Sequence, residues 1–223
     1  MDELDKKRRV IRDLMEYAVS EDRIYEATDL LNIYQEDRIA LELLHEFYSF
    51  LPDAVNDWIR EIRLVNRRQG IFLLAVITEE KEYLYMVSSE GVEFQGVLAE
   101  GIWDKDLLVF FGYNTRENFL KLCKSPEEFL IYEPLSCDDN ICPACHAETG
   151  ELHELGCPIE LCPWCGAQLV LCSCRFDKLE VESLSSEKDL IRFEEILNEQ
   201  GRIPYSPEQR PSFADEGPGV IIE

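Results

Sequence analysis

Apolar positions along the first third of the chain recur at three- and four-residue intervals. Leu4, Ile11, Leu14, Met15 and Ala18 fall on one helical face, and Ile24, Ala27, Leu30 and Leu31 repeat the pattern. A third stripe runs through Ile39, Leu43, Leu44, Phe47 and Phe50. Pro52 then sits where a first helical position belongs and predicts a fourth helix, with Val55, Trp58, Ile59, Ile62 and Val65 on its buried face. Residues 3–69 therefore read as helical, and a packed helical core accounts for the stripes better than a cofactor box does.

The period changes at residue 70. "GIFLLAVIT", "EYLYMVSS", "GVEFQGVL" and "DLLVFFGY" are short, rich in β-branched and aromatic residues, and separated by Glu-Lys, Glu-Gly and Asp-Lys turn signals. That spacing predicts an antiparallel meander over 70–132. Its last part, "SPEEFLIY", offers Ser125 as a cap and Pro126 at a first helical position, a brief helix feeding a final strand. Further on, Ser186 with Asp189 forms a capping signal ahead of Ile191, Phe193, Ile196 and Leu197, and Gly201 stops that helix. The fold class is α+β. The predicted organisation is an α+β domain at 1–135, a cysteine-rich metal-binding module at 136–176, a C-terminal helix at 177–201 and an extended, proline-bearing tail at 202–223.

Charge narrows the partners. The 223 residues carry 46 acidic and 22 basic side chains, a formal net charge of −24. Such a chain repels phosphate backbones and anionic membranes unless a basic face is segregated. The two basic runs, Lys6 to Arg9 and Arg60 to Arg68, alternate with acids or lie on predicted helices and read as solvated faces. The N-terminus is charged from its second residue, and no run approaches the ~20 apolar residues of a membrane span. The expectation is a cytoplasmic protein. In a reducing compartment nine cysteines, an odd number, favour metal ligation over a disulfide framework. No P-loop, dinucleotide fingerprint, H-E-x-x-H or G-x-S-x-G occurs, and His45 in "LLHEFYSF" reads as a core-edge histidine.

Seven cysteines and two histidines crowd into "CPACHAETGELHELGCPIELCPWCGAQLVLCSC", residues 142–174. Two residues between cysteines let a tight turn point both sulfurs at one ion. The pairs Cys142/Cys145 and Cys162/Cys165, sixteen residues apart, can therefore close a tetrahedron around zinc. Four further candidates remain: His153, Cys157, Cys172 and Cys174. Counted along the chain they make the second and fourth pairs, so a shared first and third pair leaves these to hold a second ion in a cross-brace. Two alternatives stay open. These four can be buried as small apolar or hydrogen-bonding side chains, and His146 can replace His153 as ligand. Cys123 and Cys137 read as bystanders. A loop-rich segment of this size buries too little apolar surface to offset its ordering entropy, which is a physical reason for it to hold one or two zinc ions.

"CPWCGAQL" resembles the knuckle of zinc-ribbon and rubredoxin-like domains, and the string through "CSC" is similar to one found in bacterial zinc-binding proteins. The likeness covers about 35 residues, all inside the module. It implies Cys142, Cys145, Cys162 and Cys165 as one ligand set and allows iron in place of zinc. The ligand order also resembles that of RING-type zinc domains.

His146-Ala147-Glu148 followed by a C-x-x-C matches the letters of the zinc deaminase signature, in which the glutamate moves protons beside an open metal. Only thirteen residues separate Glu148 from Cys162, and Thr149-Gly150 breaks the helix that the motif needs. An excess of protein ligands also argues for a closed, structural ion. Acids outnumber bases throughout the module, which disfavours nucleic acid. The expected function is non-enzymatic: a structural zinc module acting in protein–protein interaction, with Trp164 and the tail as contact elements. Zinc-dependent hydrolysis or deamination, and thiol redox or metal sensing, are the alternatives.

Overall fold

Strand β2 (Ile71–Thr78) is buried on both of its faces, and the first part of the molecule is organised around it. The computed structural model describes residues 3–52, 56–135, 140–184 and 186–209. β2 lies third in a sheet of order β4-β3-β2-β1-β5, in which neighbours pair antiparallel. The other strands are β1 (Ile59–Arg68), β3 (Glu82–Val87), β4 (Val92–Val97) and the short β5 (Leu130–Ile131). Because side chains alternate across a strand, Phe72, Leu74 and Val76 point one way while Leu73 and Ala75 point the other.

The first face meets α1 (Glu3–Ala18), α2 (Ile24–Ile33) and α3 (Arg38–Phe50) through Ile11, Met15, Leu31, Leu43, Leu44 and Phe47. The second is covered by a 3₁₀ turn (Leu98–Glu100), α4 (Lys105–Phe110) and α5 (Arg116–Leu122) through Leu98, Leu108, Phe111 and Phe119. Each fully buried Phe or Leu of this kind stabilises the fold by about 1.5–3 kcal/mol. Both faces of the sheet are thus occupied by helices. Cys123, at the end of α5, belongs to the second core, where burial pushes its thiol up to about 11.

Two elements differ from the sequence expectation. The fourth helix is instead strand β1, and Val55 lies outside the described residues. A register shift between Ile59 and Glu61 adds a residue to the strand, so Ile59 and Ile62 face the same core three positions apart and imitate a helical spacing. "DLLVFFGY" is helix α4. Asp104 is its N-cap, accepting from the Asp106 and Leu107 amides, so the Asp-Lys signal starts a helix rather than a hairpin turn. The basic run on β1 is largely spent internally. Arg63 donates to the Glu127 and Phe129 carbonyls, and Arg68 to that of Phe110.

The chain separates into two compact units, 1–136 and 137–223. The second contains both cysteine knuckles, α6 (Cys174–Leu179) and α7 (Glu187–Gln200). The predicted capping box is present: Ser186 accepts from the Asp189 amide while Asp189 accepts from that of Ser186, and Gly201 ends the helix. No helix among the described residues is long and apolar enough to cross a membrane.

Candidate metal centres

Two short stretches of sequence, "ICPACHAE" and "LCPWCGAQ", fold into the same turn. In the first, Ile141 bridges Glu148, the Cys142 amide donates to the Ala147 carbonyl at 2.8 Å, and the His146 amide donates to the Cys142 carbonyl at 2.9 Å. In the second, Leu161 bridges Gln168, with the equivalent bonds from Cys162 to Ala167 at 2.7 Å and from Gly166 to Cys162 at 2.8 Å. Both turns need a positive φ at the residue after the second cysteine, and Gly166 supplies it at 75°. His146 occupies the matching position at 59°, so its backbone geometry belongs to the turn.

Each turn finds its remaining ligands downstream in its own loop. Cys142, Cys145, His153 and Cys157 gather in one group, and Cys162, Cys165, Cys172 and Cys174 in another, with the ligand atoms of each group within 4.8 Å of one another. All eight candidate residues are thus brought together, but not in the expected order. The cross-brace is replaced by two consecutive sites, and the ribbon-like set of four knuckle cysteines is split between them. The reason is length. The loop from His146 to Leu152 is long enough to return His153 to its own turn, and Cys157 follows it there.

Distances in the first site fit a tetrahedral zinc. Zn–S bonds of ~2.3 Å and Zn–N bonds of ~2.05 Å imply S···S edges of about 3.8 Å and S···N edges of about 3.6 Å. Cys142 Sγ and Cys157 Sγ are 3.8 Å apart, and Cys145 Sγ lies 3.4 Å from His153 Nδ1. With Nδ1 facing the sulfurs, Nε2–H donates to Gln209 Oε1 at 2.9 Å, which fixes the tautomer a ligand requires. Without a cation, sulfurs this close cannot all ionise. Hydrogen bonds from Cys145 and Cys157 hold the Cys142 thiol down at about 3, while the bond with Cys142 drives Cys157 far above the ordinary thiol range. His153 is raised: burial, the largest single influence, opposes its charge, but hydrogen bonds with Cys145 and Gln209 outweigh it.

The segment 202–209 closes this site, which corrects the expectation of an extended tail as far as the described residues go. Arg202 donates to the His153 carbonyl at 2.6 Å and to Glu160 Oε1 at 2.7 Å, in an ion pair with 5% and 1% side-chain exposure. Tyr205 exchanges backbone hydrogen bonds with Gly150 and Glu151, packs edge-on against the His153 ring and donates through its hydroxyl to the Ile141 carbonyl. Sequence spacing gave no sign of Glu160, Arg202, Tyr205 and Gln209. Only the prolines flanking "YS" in "IPYSP" hint at a fixed turn.

The second site is all-cysteine. Cys162 joins Leu169, Leu179, Phe193 and Leu197 in an apolar cluster, with Trp164, Cys172 and Cys174 partly buried against it. Trp164 is therefore a packing residue, with the Lys178 ammonium 5.9 Å from its ring centre. Arg175 donates to the Leu169 carbonyl at 2.7 Å and secures the loop between the ligand pairs.

His146 belongs to neither ligand group, and the cysteines a deaminase would share with it belong to the second. His45 is half-buried on α3. Cys123 lies in the first unit's core, and Cys137 falls outside the described residues. Comparison with protein families, curated proteins and solved structures returns no match for the chain.

Proposed function

We propose that this is a zinc protein whose ions are structural and whose role is association with another protein. The observation that carries the reading is closure: each group supplies four protein ligand atoms, a full tetrahedral set that leaves no position for water or substrate. The fit of the 3.8 Å and 3.4 Å edges to zinc supports the metal's identity, and zinc in place of disulfides suits a reducing, cytoplasmic setting. A protein partner is favoured over nucleic acid by the net charge of −24 and by the internal use of Arg63 and Arg68. On the metal-binding unit, Leu171, Leu190 and Ile191 offer exposed apolar side chains for such contact.

Metal content per chain, with a visible spectrum and X-ray absorption, tests this in protein purified without added metal. Two colourless zinc ions, one bound by four sulfurs and one by three sulfurs and a nitrogen, are expected. A red iron–thiolate spectrum would move the function to electron transfer, and an ion with a bound water would reopen hydrolysis. Thiol redox sensing is the second reading, favoured by the solvent exposure of Cys165.

A further inference from the structure

The two sites match in ligand number but not in cover. In the first, Cys142, Cys145, His153 and Cys157 are at most 5% exposed, beneath Tyr205, Gln209 and the Arg202–Glu160 pair. In the second, only Cys162 is buried; Cys172 and Cys174 are half-buried and Cys165 is exposed. Cys165 also stands outside the apolar cluster that holds the other three. A zinc-bound thiolate keeps a nucleophilic electron pair, and access then decides whether a small oxidant reaches it.

Building on the reading that both sites carry zinc, we propose that the second site is a modification site for hydrogen peroxide or a small organic hydroperoxide, and that its oxidation expels its zinc. The Cys165 sulfur attacks a peroxide oxygen; the O–O bond breaks, the alcohol or water leaves with a proton from solvent, and Cys165 becomes a sulfenic acid. The Cys174 thiolate attacks that sulfur, the S–O bond breaks, and the hydroxide leaves as water with a second solvent proton. Two thiolates have supplied the two electrons that reduce the peroxide. Cys162 and Cys172 remain, too few to hold the ion. Ligand sulfurs within 4.8 Å of one another make the disulfide reachable by local movement.

Oxidation also acts on the fold. Cys174 is the first residue of α6, and Leu179 of α6 packs with Phe193 and Leu197 of α7. Moving Cys174 out of the metal set therefore loosens both helices, while the first site keeps its ion.

The test uses the full-length zinc-loaded protein, its zinc counted by native mass spectrometry before treatment. Hydrogen peroxide is added with a zinc indicator too weak to strip the untreated protein, followed by disulfide mapping and amide exchange. The expected result is release of one of the two ions, a Cys165–Cys174 disulfide and faster exchange over 174–200. Cys142, Cys145 and Cys157 should stay unmodified, and a dithiol plus zinc should reverse the change. Release of both ions together, release of none, or a disulfide lacking Cys165 overturns the proposal with the two-zinc reading intact. Fewer than two ions before peroxide overturns the two-zinc reading itself, and this proposal with it.

Discussion

Gln209 Oε1 accepts a hydrogen bond from His153 Nε2 at 2.9 Å, across 56 positions of sequence. With Nε2 turned to Gln209, Nδ1 faces the sulfurs of the first site, so Gln209 would act on a metal bound there through the histidine it orients. Removing such a partner typically weakens metal affinity about 10- to 100-fold. Gln209→Ala should therefore raise the zinc dissociation constant of the first site by that factor in chelator competition and leave the second unchanged. Equal weakening of both sites would mean that the segment only packs.

His146 sits at the knuckle position where Gly166 stands in the other turn, with φ of 59° against 75°. If its role is the turn and not the metal, His146→Gly keeps the full zinc content. A non-glycine residue in this region is strained by roughly 1 kcal/mol or more, so melting should stay within about that of the parent. Loss of one zinc ion would restore His146 as a ligand.

Much of this was legible in the sequence. The α1, α3 and α7 stripes, the Ser186–Asp189 box and the hairpins of β2, β3 and β4 followed from periodicity and capping, because each is a local property of adjacent residues. Strand β1 was not, because the register shift between Ile59 and Glu61 puts Ile59 and Ile62 on one face at an interval that a straight strand would not give. The eight candidate ligands announced themselves by residue type. Their partition did not, because it depends on how far each loop carries the chain back, as the return of His153 to Cys145 shows. Arg202, Tyr205 and Gln209 lie beyond a helix and joined the site only through tertiary contact.

Metal removal should act on one unit. Structural zinc supplies an apparent ~10–16 kcal/mol in small zinc-binding peptides, and the second unit has only small apolar clusters to replace it. The first unit has two cores of its own. Under a strong chelator with reductant, amide protection should vanish over 140–209 and persist in β2 and β3. Simultaneous loss in both units would show that the first depends on the second.

Asp37 is 1% exposed and accepts four things at once in the first unit: through Oδ1 the Ala40 amide at 2.9 Å, which caps α3, and through Oδ2 the Tyr132 hydroxyl at 2.9 Å and the Leu135 amide at 2.7 Å, while its own backbone carbonyl receives the Leu41 amide. Losing a cap costs about 1 kcal/mol, and leaving buried donors without an acceptor costs about 1–3 kcal/mol. Asp37→Ala should thus destabilise the first unit by roughly 2–4 kcal/mol in denaturant titration. Asp37→Asn, which keeps one acceptor oxygen, should lose less. An effect under about 0.5 kcal/mol, the usual scale of a surface change, would show the network to be ornamental.

Tyr34 donates to the Tyr132 carbonyl at 2.6 Å, and burial, then the charges of Asp37 and Glu61, push its phenol up from 10 to about 12. Burial likewise raises Tyr132, reinforced by Asp37, and raises Tyr48 and Tyr85. A raised phenol means that the folded protein holds its proton where the unfolded chain has released it. The stabilisation is therefore complete below the unfolded value near 10 and declines as pH climbs through the window to about 12. The denaturation midpoint of the first unit should be level up to about pH 10 and fall above it. Tyr34→Phe removes one titrating group and should make that alkaline decline shallower; an unchanged slope would mean that Tyr34 ionises as freely in the folded protein as in the unfolded chain.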